Sequence, residues 1–327
     1  MKSRPRSLAA LALCLAAAMP AMAALLPGPL VTPEWLDAHR DQVVVLDVRE
    51  DPAGFTAEPE FAQDPATSGR SLVELGGHIP GALKIDFSDM RTEKTVEGRR
   101  IPWMLPDADQ FQALMRAAGV PAGTPIVIVT QATTPEELDT AARAYWSIKY
   151  YGDDDLAILD GGMARWLEEG HAVESAVPSG RELPKGDWTA GTPRTAMMAD
   201  SGQVASASKR GVQLIDARPA AFYYGLQKRP AVAAAGHIGN AFDFPAELHA
   251  RPVGKSQRFL SVAEYRSIFA TIGIQPNRPL IAYCNTGHMA AGAWFITSEL
   301  LGNRHAALYD GSMLRWAAEG RPVVTAH

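Results

Sequence analysis

Cysteine is nearly absent from this 327-residue chain. There are two, and one of them, Cys14, lies in an N-terminal stretch expected to be removed. The thiol that remains, Cys284, cannot form an internal disulfide, so a stapled fold is excluded. Long apolar runs are scarce too, and beyond the first residues none approaches the ~20 apolar positions of a membrane span. Basic runs are also lacking. A chain of formal charge −5 without a basic patch is a poor nucleic-acid binder.

The N-terminus has the pattern of an export signal. Lys2, Arg4 and Arg6 make a basic start, Leu8 to Ala18 an apolar stretch, and Ala21-Met22-Ala23 a small-x-small cleavage site before Ala24. The stretch is too short to span a bilayer comfortably, and a retained anchor is the alternative. Cys14 follows Leu13, not the small residue of a lipoprotein signal. Residues 1–23 are read as a signal peptide, and the mature protein is expected in the periplasm or secreted. Removing three basic residues and no acidic one shifts the formal charge from −5 to −8. The roughly 300 residues left exceed what one core usually organises, so two domains are expected. A free thiol in an oxidising compartment is a liability unless it is used.

The chain is written twice. Val43-Val44-Val45-Leu46-Asp47-Val48-Arg49 returns as Val212-Gln213-Leu214-Ile215-Asp216-Ala217-Arg218. Gly77-His78-Ile79-Pro80-Gly81-Ala82 returns as Gly236-His237-Ile238-Gly239-Asn240-Ala241. Leu159-Asp160-Gly161-Gly162-Met163-Ala164-Arg165-Trp166 returns as Tyr309-Asp310-Gly311-Ser312-Met313-Leu314-Arg315-Trp316. Units this long mean domain duplication, not a solenoid. The reading is a first domain over 24–174, a Pro/Gly/Ser/Thr-rich linker over 175–211 and a second domain over 212–327.

Each copy alternates short apolar runs with helical spacing. Gln42 to Leu46, Ile126 to Val129 and Leu156 to Leu159 suit buried strands, as do Gln213 to Ile215, Leu280 to Tyr283 and Ala306 to Tyr309. Helical spacing runs over Asp107 to Ala118, Pro135 to Tyr150, Val262 to Ile272, Met289 to Leu301 and Met313 to Glu319. The pattern predicts an α/β fold, with parallel sheets covered on both faces.

These landmarks, together with Met104-Leu105-Pro106 followed by Phe111, resemble the rhodanese family, the tandem-domain thiosulfate and 3-mercaptopyruvate sulfurtransferases. The similarity covers nearly all of the mature chain. It implies two rhodanese-like domains, each a five-stranded parallel sheet flanked by helices, with a catalytic cysteine opening a six-residue loop in the second domain only. The strand ending at Thr130 aligns with the one ending at Cys284. After Thr130, Thr134, Pro135 and Glu137 form the pattern of a capping box, and carboxylates at that helix start would repel an anion. The first domain is therefore read as catalytically silent.

From Cys284 through Ser298 there is no charged residue. A thiolate there would sit over the first turn of a helix, where unpaired amides and the helix dipole favour an anion. Gly287 permits a positive φ, and Ala290, Ala291 and Gly292 allow close packing of the helix. The resemblance implies double displacement: Cys284 takes a sulfane sulfur as a persulfide and passes it to cyanide or a thiol, with no metal or organic cofactor required. The expected partners are a small anionic donor, a thiol or cyanide acceptor, and a redox or sulfur-carrier protein as a possible recipient.

Asn285, Thr286, Gly287, His288 and Met289 are the candidate binding loop. His288 could deprotonate the thiol, orient a donor or pack at the rim. His78, in the first domain, could approach the cleft or serve a structural hydrogen bond, and His237 is read as structural. Lys228 and Arg229 are the nearest candidate cations, with a solvated loop as the alternative. Asp47 with Arg49, and Asp216 with Arg218, are expected to brace strand ends, and Trp166 and Trp316 to be core.

The loop departs from the family. Asn285-Thr286-Gly287 matches neither the basic residues of thiosulfate-using relatives nor the Gly-Ser-Gly of mercaptopyruvate-using ones. Met289 and Phe222 stand where relatives often carry polar or donor-binding residues. Ala290, six positions after the cysteine, lacks the arginine that a related phosphatase or arsenate reductase would need. The competing class is a non-enzymatic thiol-bearing binding or sulfur-carrier module.

Overall fold

The β-branched and apolar runs form two parallel sheets. The computed structural model describes residues 25–63, 70–176 and 185–326. The candidate leader, Cys14 and part of the candidate linker lie outside them. In the first sheet the strands run Leu30–Val31, Leu156–Leu159, Ile126–Val129, Val44–Arg49 and Leu83–Asp86, all parallel. In the second, the order is Ala241–Asp243, Gln213–Asp216, Leu280–Tyr283 and Ala306–Leu308, again parallel. Among the described residues, no helix is long and apolar enough to cross a membrane.

Five strands were expected in each sheet, and the second has four. Its fifth position is a single bridge between Met198 and Leu308. Thr195–Met197 winds into a 3₁₀ turn just before it. Asp200 caps the helix Ser201–Ala205 just after, accepting from the Gln203 amide. Only Met198 and Ala199 lie between them. A second difference lies in the helix expected over Met289 to Leu301, which is α-helical over His288–Phe295 and then widens to a π turn over Ile296–Leu300. There the Leu301 amide donates to the Ile296 carbonyl at 2.9 Å, and Thr297 Oγ1 donates back to the Ala293 carbonyl at 2.7 Å.

The repeated motifs do the same work twice. Arg49 and Arg218 are buried and pair with Asp47 and Asp216 two residues earlier. Each guanidinium also donates to a glycine carbonyl of the next motif, Gly77 at 3.2 Å and Gly236 at 2.8 Å. His78 stacks on Phe55 and His237 on Tyr223, at centroid distances of 3.7 and 3.8 Å. Their Nδ1 atoms meet the Phe55 and Tyr223 carbonyls at 2.8 and 2.9 Å. Trp166 and Trp316 are buried, donating to the carbonyls of Ala172 and Pro322.

The domains grip each other reciprocally. The hairpin Thr92–Val96 with Arg99–Met104 reaches from the first domain to the second, where the Leu105 amide donates to Asp310 Oδ2 at 2.8 Å. The hairpin Ala250–Val253 with Ser256–Phe259 reaches the other way, and the Phe259 amide donates to Asp160 Oδ1 at 3.0 Å. Asp160 and Asp310 hold the same place in the duplicated Asp-Gly motif. Between the hairpins, the helix Pro135–Tyr150 packs on His288–Phe295, with the Tyr145 and Phe295 rings 5.0 Å apart. One apolar core therefore runs through both domains.

Polar residues on the first of these helices meet matching groups across the boundary. Asp139 takes the His249 Nδ1 at 2.9 Å, Thr140 the His288 Nε2 at 2.9 Å, and Arg143 the Asp310 carboxylate at 2.6 Å. Burial raises the Asp139 carboxyl to about 6, against the opposing pull of His249. Gly292 makes this approach possible, since a Cβ there would lie 1.6 Å from Asp139 Oδ1. Gly292→Ala is therefore expected to lower stability by about 1–3 kcal/mol in urea unfolding. Gly28→Ala, where a Cβ meets nothing within 4 Å, should leave the midpoint unchanged; equal midpoints for both would refute the close-packed boundary.

Candidate active site

Thr130 and Cys284 occupy equivalent places after the central strands. Their carbonyls accept from Met163 and Met313 at 2.8 and 3.0 Å, and the next carbonyls, of Gln131 and Asn285, accept from Ala164 and Leu314. From this common frame the two loops diverge. In the first domain Thr134 caps Pro135–Tyr150, accepting from the Glu137 amide at 3.2 Å. Glu137 reaches back, but to the amide and hydroxyl of Thr133 at 2.6 and 2.8 Å, not to Thr134 as a regular capping box would have it. Ala132, at φ +59°, turns the chain just before.

In the second domain Gly287, at φ +77°, opens the helix His288–Phe295, whose first-turn amides lack intrahelical acceptors. Ser312 holds the loop. Its Oγ accepts from the amides of Cys284 and Gly287, both at 3.1 Å, and donates to the Tyr309 carbonyl at 2.8 Å. Arg143 Nη1 crosses from the first domain to the Gly287 carbonyl at 3.2 Å. A Cβ on Gly287 would meet that same atom at 2.6 Å. Arg143 and Asp310 are fully buried, and the Arg143 Nε and Nη2 atoms have no hydrogen-bond partner among the described residues.

Cys284 is a free thiol, 2% exposed, on the wall of a cavity of about 330 Å³. Asn285, Thr286, His288, Met289 and Arg229 line the second-domain side. Glu50, Phe87, Ser88, Arg91 and Trp103 line the other, and all belong to the first domain. Glu50 follows the strand Val44–Arg49, and Arg91 follows the 3₁₀ turn after Leu83–Asp86. The cavity thus lies at the carboxyl ends of strands from both sheets, where α/β proteins bind ligands.

His288 is held by its neighbours. Nε2 meets Thr140 Oγ1 at 2.9 Å, the ring lies 4.8 Å from Phe87, and Nδ1 is 3.7 Å from Glu50 Oε1. Burial, with the charges of Arg91 and Arg143, lowers its pKa to about 3, so the imidazole is neutral at physiological pH. Thr140 Oγ1 donates to the Glu136 carbonyl, which assigns the proton between Thr140 and His288 to Nε2 and leaves Nδ1 an acceptor. Arg91 lies over the Phe87 ring at 4.2 Å, and burial with the Arg143 charge lowers it to about 10, still a full cation.

Of the residues singled out in the sequence, Cys284, Asn285, Thr286, His288, Met289 and Arg229 come together at the cavity, with Gly287 as the pivot of the loop. Lys228 and His78 do not. Lys228 Nζ turns to the Val232 carbonyl at 3.1 Å. His78 is consumed by its stack on Phe55 and its bond to the Phe55 carbonyl, and the half-exposed Glu174 approaches Nε2, at 3.6 Å. Ser312 was not singled out, although aligning Gly161-Gly162 with Gly311-Ser312 shows the one side chain added behind the loop. Arg91, Trp103, Phe87 and Glu50 carry no signal, because only the docking of the domains brings them there.

A model of the rhodanese-like domain matches residues 32–169 and again 201–319. A protein of Thermus thermophilus named sulfur carrier protein TtuD is 29% identical over 303 residues, covering 89% of this chain and 94% of its own. A 3-mercaptopyruvate sulfurtransferase of Escherichia coli is 26% identical over 292 residues, covering 87% and 93%. The crystal structure of SseA, the 3-mercaptopyruvate enzyme from Escherichia coli, superposes with a TM-score of 0.68 at 26% identity over 87% of this chain and 98% of that one. With two such domains accounting for most of its length, the chain belongs to the rhodanese family of sulfurtransferases.

Proposed function

We propose that the protein transfers a sulfane sulfur through a Cys284 persulfide, with thiosulfate as the leading donor and 3-mercaptopyruvate as the second. The observation that carries this is the free thiol itself. It opens a charge-free loop over a helix N-terminus and shares its cavity with two arginines. In the first step the Cys284 thiolate attacks the outer sulfur of thiosulfate, an S–S bond forms at the cysteine, and sulfite leaves with the electron pair of the broken bond. In the second, cyanide attacks the outer persulfide sulfur, forming thiocyanate and returning the thiolate. The first-turn amides and the cavity cations favour the anion at each stage. Arg229 supports binding of an anionic donor.

The name of the Thermus relative favours a second reading, a sulfur carrier with little turnover. The acceptor would then be a protein thiol or redox partner in place of cyanide. The export pattern of residues 1–23 supports a periplasmic or secreted site of action.

Loading is read by intact mass. The mature protein incubated with thiosulfate should gain one sulfur atom, lose it to cyanide, and gain none as Cys284→Ser. Absence of loading by either donor would sink the proposal, and loading without catalytic turnover to any acceptor would favour the carrier. The pH dependence is a second check. With His288 depressed to about 3, its protonation lies below the working range, and the loading rate should show no inflection from this imidazole between about pH 5 and 8. An inflection near the ordinary histidine value that disappears in His288→Asn would contradict a neutral His288.

A further inference from the structure

The catalytic loop carries no cation of its own between residues 284 and 298, yet the proposed donors are anions. Several charged groups stand around the cavity. Arg143, behind the loop, has its charge met by Asp310 at 2.6 Å. Glu50 is more than half exposed and faces His288. Arg229 and Arg91 remain, and neither has an ion-pair partner among the described residues. Arg91 Nε is buried without a hydrogen-bond partner, while the guanidinium is flattened on Phe87. A partly buried guanidinium with a donor unspent and no ion-pair partner is suited to a planar or tetrahedral oxyanion.

We propose that Arg91, from the domain without a cysteine, binds the oxyanion end of the sulfur donor and so sets specificity for anionic donors at Cys284. The inference rests on the sulfurtransferase reading for its donor, but not for its electrostatic content. Placed at the end of the turn Phe87–Met90, Arg91 is presented to the cavity by the first sheet. The substrate class is a sulfane or thiol sulfur attached to a compact sulfonate- or carboxylate-bearing group. The domain without a cysteine would thereby contribute the charge that the other domain's loop lacks.

Two small alkylating agents test this in the full-length mature protein. Iodoacetate is an anion and iodoacetamide is its neutral counterpart, so the ratio of their rates at Cys284 reports the local field whether or not sulfur is transferred. Arg91→Gln removes the charge while keeping a polar end and should lower the ratio by about fivefold, whereas Arg91→Lys should stay within about twofold of the parent. The KM for thiosulfate should rise about tenfold in Arg91→Gln, with the rate of iodoacetamide at Cys284 changed little. Thermal midpoints confirm folding, and Arg91→Met serves if the glutamine variant fails to fold. An unchanged alkylation ratio overturns the proposal, and so does a changed ratio with an unchanged thiosulfate KM. If the parent accepts no sulfur from any donor, the functional reading fails, while the ratio still decides on the field of Arg91.

Discussion

The ion pair between Arg143 and Asp310 is the point on which the site depends. It joins the two domains in a fully buried setting and stands directly behind the Cys284 loop. A buried pair of this kind gains little over an apolar contact, but removing one partner strands a charge and costs about 3–5 kcal/mol. Its value lies in what it positions. Arg143 also holds the Gly287 carbonyl, and Asp310 also takes the Leu105 amide from the hairpin of the other domain. The loop, gathered by Ser312 from within its own domain, is therefore braced at the Gly287 carbonyl only when both domains are docked.

Duplication explains why such a device exists. Each copy has an Asp-Gly motif whose aspartate receives the other copy's hairpin, at Asp160 and at Asp310. Each also has a helix after its central strand, and those two helices meet at the boundary. Within this shared frame the copies carry different chemistry. One helix start holds Glu136 and Glu137 and turns its polar residues toward its partner. The other follows a thiol, has no Asp, Glu, Lys or Arg of its own from 284 to 298, and has Ser312 to gather the loop amides. One domain contributes the nucleophile, and the other contributes the cavity wall.

Much of this was legible in the residues. The repeat, the parallel strands, the Asp-Arg braces and the placement of Cys284 opposite Thr130 all follow from local pattern, because each depends on neighbours close in sequence. The missing fifth strand of the second sheet was not legible, since a turn at Thr195–Met197 and a cap at Asp200 compete with extension there. His78 and Lys228 were candidates by motif and charge, and packing sent both elsewhere. Arg91, Trp103 and Arg143 were invisible because nothing in a linear reading says which faces of two domains will touch. Asp139, Thr140 and Arg143 are spaced as one face of a helix, and polar residues set among Leu138, Ala141, Ala142, Ala144 and Tyr145 were the available hint of a buried interface.

That the loop around Cys284 is held from the other domain through Arg143 and Asp310 is best tested by a double-mutant cycle on persulfide formation. Arg143→Met and Asp310→Leu should each slow the loading of Cys284 by thiosulfate by about tenfold or more, and the double variant should be no slower than the worse single one. Losses that multiply in the double variant would show two independent residues and contradict this account.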